Sequence, residues 1–214
     1  MICLPGMGAD SRLFSHLKVD NARIECVEYL PPKDNESLSD YCQRLAERIS
    51  PGPDDIYLGV SLGGVMAQEL ASLVRPSLVI LISSLTASRQ INQGLRWLNQ
   101  PLARKLTTGK ITRSGLRLTG LLNGVKRRED AELLEQMALD ADPGFLRWSM
   151  AALVDWQAPQ LACDQVHLHG TDDRVIPYKR VSTTHTIDGG SHFMILDRAE
   201  EISNIIQNTL KKTT

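Results

Sequence analysis

No apolar run in this 214-residue chain reaches the roughly 18 residues that span a bilayer, so nothing in it reads as a transmembrane segment. The first residues, Met1-Ile2-Cys3-Leu4-Pro5-Gly6, lack both the basic region and the long apolar stretch of a secretory signal. Cysteine is sparse. Cys3, Cys26, Cys42 and Cys163 show no C-x-x-C spacing, and Cys3 and Cys26 sit in apolar, strand-like runs. That pattern reads as reduced, buried thiols in a cytoplasmic protein. Internal repeats and low-complexity stretches are missing too. The net charge is only −1, which gives no hint of a nucleic-acid partner. One absence is local: between Leu85 and Arg128 there is no Asp or Glu but there are ten Lys and Arg. That segment carries +10 and leaves −11 for the rest of the chain.

What is present is ordinary for a globular protein, with 42% hydrophobic and 23% charged residues. The length suits one domain with an excursion, or a core plus a small cap. Strand and helix patterns alternate along the first part. Ile2-Cys3-Leu4 is a short strand, Asp10 to Leu17 a short helix, and Arg23 to Leu30 strand-like. Ser37 to Ile49 is a helix with Ser37 as N-cap and Asp40 three residues later. Ile56 to Val60 is a strand, Leu62 to Leu73 a helix, and Ser77 to Ile82 a continuous apolar strand of the doubly covered parallel kind. From Leu85 to Gln160 the pattern is helical only: Ile91 to Leu102, Glu129 to Leu139 and Phe145 to Trp156. Strands resume at Val166 to Leu168 and Thr183 to Ile187, and Phe193 to Leu210 forms a last helix. The alternation implies an α/β class with a parallel sheet covered on both faces. Residues 1-84 and 161-214 form the core, and 85-160 a helical insertion on the carboxyl side of the sheet over one edge.

Gly59-Val60-Ser61-Leu62-Gly63 falls between the Ile56–Val60 strand and the helix that follows. A strand that becomes a helix within about one residue strains the backbone there and leaves no room for side chains beside it. Glycine is therefore needed at Gly59 and Gly63, and Ser61 Oγ stands clear at a helix N-terminus, where negative charge is favoured. A bare turn packing helix on strand is the bland alternative. A serine hydroxyl also needs a base in reach. His192 follows Gly189-Gly190 on a loop before the last helix. His16 falls on a predicted helix, His167 and His185 lie in strands, and His169 ends a strand beside Gly170, all more consistent with structural roles. Asp172 and Asp173, on the loop after the Val166 strand, compete as the acid.

Pro5-Gly6-Met7-Gly8, Gly59-Val60-Ser61-Leu62-Gly63-Gly64, His169-Gly170-Thr171-Asp172-Asp173 and Gly189-Gly190-Ser191-His192 together resemble the α/β-hydrolase superfamily over about two thirds of the chain. The resemblance implies the order Ser, Asp, His along the chain. Its H-G-x-x-D-x-x-x-P pattern favours Asp173 over Asp172. It also implies an oxyanion hole from the backbone N–H groups of Leu62 and Met7, where losing one donor costs about 3 kcal/mol. Two features depart from the family. Pro5-Gly6 stands where His-Gly is usual, and the chain opens at what looks like the family's third strand. About six strands, all parallel, are therefore expected.

A serine nucleophile argues against the epoxide and halide chemistry that members with an Asp nucleophile perform. The leading expectation is cleavage of a carboxylic ester through Ser61, His192 and Asp173, with no cofactor and no metal. A thioesterase, a C–C or elimination lyase, and a non-catalytic ligand binder are the alternatives. Trp97, Trp148 and Trp156 all lie in the insertion and are expected to line an acyl pocket or simply to pack the cap. The +10 segment would attract an anionic acyl substrate, touch a membrane surface, or pair with the acidic stretch Glu129 to Glu135; the last is favoured.

Overall fold

The computed structural model describes residues 1–90 and 124–213. The expected helix from Ile91 to Leu102, Trp97 and most of the basic run 85–128 lie outside the described residues. Among those described, six strands form one parallel sheet in the order β2-β1-β3-β4-β5-β6. The strands are β1 Ile2–Leu4, β2 Glu25–Cys26, β3 Ile56–Val60, β4 Leu78–Ile82, β5 Asp164–Gly170 and β6 His185–Ile187. The register pairs Gly59 with both Leu4 and Leu81, so the carboxyl ends of β1, β3 and β4 lie level.

Two apolar cores cover the two faces, and the period-2 alternation of a strand assigns each residue to one of them. Ile2, Leu4, Tyr57, Val79 and Leu81 point to one face, where α1 (Leu38–Ile49) and α2 (Leu62–Val74) pack. Cys3, Leu58, Val60, Ile80 and Ile82 point to the other, against α5 (Met194–Asp197) and α6 (Ala199–Thr213). Helix α1 starts where the sequence places its cap: Ser37 Oγ accepts the Asp40 N–H at 3.1 Å. It stops at Ser50, whose φ of 47° is left-handed.

The insertion contributes two described helices, α3 (Arg128–Asp140) and α4 (Pro143–Asp155). Asp142 caps α4 by accepting the Phe145 N–H at 2.6 Å, and Pro143 sits in its first turn. Helix α4 packs on the α1 face through aromatic rings. Phe145 stacks on Tyr29 with centroids 5.0 Å apart, and Trp148 meets Tyr41 at 4.4 Å. Helix α3 lies on the other side, where Asp140 pairs with Arg12 at 2.7 Å. Between them runs the loop after β1. A Cβ on Gly8 would lie 3.6 Å from Leu146 and 4.0 Å from Ala138. Though these helices follow β4 in sequence, they reach back across the carboxyl ends of the strands to the β1 loop.

Three elements differ from expectation. The helix expected from Asp10 to Leu17 is a single 3-10 turn, Ser11–Phe14, because the Asp10 carboxylate captures both the N–H and the guanidinium of Arg12. The strand expected from Arg23 to Leu30 shrinks to two residues. Its only neighbour, β1, is three residues long, so little edge is left to pair with. The last helix is broken at Arg198, where φ of −122° and ψ of 23° leave the helical range, giving α5 and α6. No described helix is long and apolar enough to cross a membrane.

Trp156 ends α4 and is 4% exposed. Its indole N–H donates to Glu69 Oε1 of α2 at 2.6 Å, inside the core. A buried carboxylate left without this donor loses a charge-assisted bond that no water replaces. Trp156→Phe should therefore destabilise the protein by about 2–3 kcal/mol in urea unfolding. Adding Glu69→Met should recover part of that loss, because it removes the stranded carboxylate; an additive pair would refute the latch.

Candidate active site

Ser61 sits at the one-residue junction between β3 and α2 with φ of 53° and ψ of −117°. A positive φ with this ψ lies outside the range most side chains adopt, and strain of this kind survives only where packing enforces it. The packing is visible. A Cβ on Gly59 would sit on the backbone of Gly63 and Gly64, and one on Gly63 would sit on the Leu4 carbonyl. Neighbouring strands finish the clamp: Ser61 N–H donates to Ile82 O at 3.0 Å, and Ser84 Oγ donates to Ser61 O at 2.7 Å.

His192 comes from the loop after β6, and Asp173 from the loop after β5. The His192 Nε2 atom lies 3.1 Å from Ser61 Oγ, and its Nδ1 lies 2.8 Å from Asp173 Oδ2. A carboxylate can only accept, so Nδ1 carries the proton and Nε2 presents its lone pair to the serine hydroxyl. The second oxygen of Asp173 is also engaged, accepting the N–H groups of Val175 and Ile176 at 2.9 and 2.8 Å. Asp173 is 4% exposed and His192 5%, while Asp172 is exposed on the turn. The four residues between β6 and His192 are placed by Gly190. Its N–H bonds Ile187 O, its carbonyl accepts the Asp172 N–H, and a Cβ on Gly170 would sit on its backbone.

The loop after β1 flanks the serine. A Cβ on Gly6 would come 3.5 Å from the Ser61 Cβ, and Tyr29 Oη donates to Pro5 O at 2.7 Å, tying the loop down. Leu62 is the first residue of α2, where backbone N–H groups have no partner within the helix. Met7, the other expected donor, lies half-buried on this loop.

The sequence pattern of the Alpha/beta hydrolase family matches residues 1–205. The chain belongs to that family. Solved structures agree in fold. An esterase from Exiguobacterium antarcticum superposes with a TM-score of 0.72 at 16% identity, covering 99% of this chain and 92% of that one. An esterase from Thermogutta terrifontis gives 0.66 at 15% identity, covering 99% and 89%. A meta-cleavage product hydrolase from Pseudomonas fluorescens IP01 gives 0.72 at 15% identity, covering 100% and 90%. No curated protein sequence matches the chain.

In this α/β hydrolase the expected tryptophans have different fates. Trp97 lies outside the described residues. Trp156 is part of the core, as its bond to Glu69 requires. Trp148 is half-buried among Tyr41 and Phe145 and gives its indole N–H to Glu36 O at 2.8 Å. Sequence reasoning missed Ser84 and Tyr29. Neither belongs to a motif, and each reaches the site through a bond to backbone that is distant in sequence.

Charge in the site follows from burial and partners. Burial alone would raise the Asp173 carboxyl, but the imidazole of His192, the Ile176 N–H and His169 outweigh it and hold it below the ordinary carboxylate value. His167 is pushed down to about 4, first by burial and then by the neighbouring His169. The unfolded chain takes up that proton near 6.5, so as pH falls through this window the unfolded state gains it first. Stability should therefore drop by about 3 kcal/mol between pH 6.5 and 4 from His167 alone. Asp173, with its depressed folded value, adds a further loss only at lower pH. Urea midpoints measured across this window should fall steeply in wild type and less so in His167→Asn, which cannot titrate; equal slopes would refute the assignment.

Proposed function

We propose that this chain is a serine hydrolase that cleaves a carboxylic ester through an acyl-enzyme. The observation that carries the reading is the unbroken run of hydrogen bonds from Ser61 Oγ through His192 to the buried Asp173. Coarser support comes from the family and from the esterases and the hydrolase that share the fold.

In this reading His192 Nε2 takes the Ser61 proton as Oγ attacks the carbonyl carbon. Asp173 holds the ring in the tautomer with its lone pair on Nε2 and stabilises the imidazolium that forms. The developing oxyanion sits against the N–H groups of Leu62 and Met7, at the start of α2 where the helix dipole favours negative charge. The imidazolium then protonates the leaving alcohol, which departs. A water, deprotonated by His192, attacks the acyl group and frees the acid. Helices α3 and α4, poised over the Pro5–Gly8 loop, serve as a cap that excludes water from the acyl side, with Trp148 in its inner wall. The acyl substrate is a small molecule, and an anionic one would suit the basic segment.

The test is labelling with a fluorophosphonate and turnover of a panel of acyl esters of varied chain length. Wild type should label and Ser61→Ala should not. His192→Ala and Asp173→Asn should each lower turnover by about 10⁴-fold, and Asp172→Asn, altering only an exposed residue, should change it little. Acyl-thioesters assayed beside the esters distinguish thioester cleavage. A wild-type protein that neither labels nor turns over any member of the panel would end the reading.

A further inference from the structure

Asp173 has a second imidazole against it. His169 Nε2 lies 3.3 Å from Asp173 Oδ2, the oxygen that also accepts the His192 Nδ1–H, and 2.8 Å from Ile176 O. Behind it, His169 Nδ1 lies 3.3 Å from His167 Nε2, and His167 Nδ1 lies 2.9 Å from Ser182 O. The rings meet edge-on at 89°. The His169 side chain is fully buried, and His167 is 2% exposed.

Counting protons on these rings gives an unusual result. Carbonyl and carboxylate oxygens only accept, so His169 Nε2 and His167 Nδ1 must both be donors. Two neutral imidazoles carry two N–H groups in all, and both are then used outward. The two inner nitrogens are left with lone pairs facing each other. A hydrogen bond between the rings exists only when the pair holds a third proton and a single positive charge. Every partner around it suits that state: the carbonyls of Ile176 and Ser182, the Ser84 backbone beside His167, and the Asp173 carboxylate. His192 is the one group that opposes it, and Ser83 and Ser84, from the end of β4, bring only hydroxyls and backbone.

We propose that His169, backed by His167, is a positioning pair for Asp173 that holds the carboxylate beside His192 and takes up one shared proton between its rings in acid. In the neutral state the His169 N–H is given to Ile176 O at 2.8 Å, and the edge of the ring rests 3.3 Å from the Asp173 oxygen and limits where the carboxylate can swing. In the loaded state the pair's positive charge lies against that same oxygen. Proton transfer from Ser61 then builds a second cation on the same carboxylate, so acylation slows. Burial works against loading and pushes both rings down, which confines the switch to the acid side of the ordinary imidazole value. The proton comes from solvent and returns to it.

Only the rate readout rests on the serine-hydrolase reading; a spectroscopic one does not. In long-range proton–nitrogen spectra of histidine-labelled wild type, the His167 and His169 rings should shift together at one midpoint, with one proton shared. In parallel, fluorophosphonate labelling of Ser61 should fall on the acid side by more than the roughly tenfold per pH unit of a single protonation. His167→Asn keeps a donor for Ser182 O but cannot share a proton, and its acid limb should return to the single-proton slope. His169→Gln keeps a donor for Ile176 O without a charge and should do the same, which guards against one variant misfolding. Two independent titrations, rings that stay neutral down the limb, or one unchanged slope in wild type and variants would overturn the proposal. If wild type never labels, the hydrolase reading fails and the spectra alone decide this one.

Discussion

The junction at Ser61 is where the rest of the molecule is made to converge. A strand enters it and a helix leaves it with one residue between, at φ of 53°. Nothing local favours that backbone. It holds because Leu4 of β1 presses on Gly63, Ile82 of β4 receives the Ser61 N–H, and Ser84 grips the Ser61 carbonyl. Two neighbouring strands thus fix Ser61 from both sides. Helix α2 runs out of the junction buried from Leu62 to Ala71, so the turn cannot relax by tilting the helix. The strain is balanced by this packing and by the two backbone bonds of Ser61 together.

The parallel sheet turns this clamp into a site. Because β1, β3, β4, β5 and β6 all run one way, their following loops gather at one end. The Pro5–Gly8 loop, Ser61, Asp173 and His192 arrive there from four different strands. Helices α3 and α4 follow β4 in sequence yet lie against the β1 loop, and aromatic stacking on Tyr29 and Tyr41 anchors α4. Tyr29 then does two things: its ring supports α4, and its hydroxyl holds the Pro5 carbonyl.

Low dielectric sharpens the polar side of the site. Asp173 is buried but accepts three N–H groups, from His192, Val175 and Ile176, with the His169 ring 3.3 Å from its Oδ2. That many charge-directed bonds keep it ionised despite burial. The same burial drives His167 neutral and leaves two imidazole lone pairs in contact. Such a mismatch is tolerated in a core only where the surrounding acceptors determine both rings' orientation.

Much was legible in one dimension. The glycines around Ser61 are demanded by a turn only a few residues long, so their spacing alone indicates the turn and the exposed hydroxyl. The continuous apolar run from Leu78 to Ile82 and the Ser37 cap are likewise local, and the structure has them where the pattern says. The choice of Asp173 over Asp172 rested on the resemblance to the family's H-G-x-x-D-x-x-x-P pattern; the structure buries Asp173 and leaves Asp172 exposed. Elements whose length depends on a neighbour were not legible. Strand β2 is short because β1 is short, and the Asp10 helix is one turn because a side chain intercepts it. Contacts between residues far apart in the chain, such as Trp156 with Glu69, His167 with Ser182 and Tyr29 with Pro5, depend on which surfaces meet. No periodicity records that. Local backbone geometry is written in the sequence because adjacent residues impose it; partnership across the core is decided only when the sheet and its covering helices close on each other.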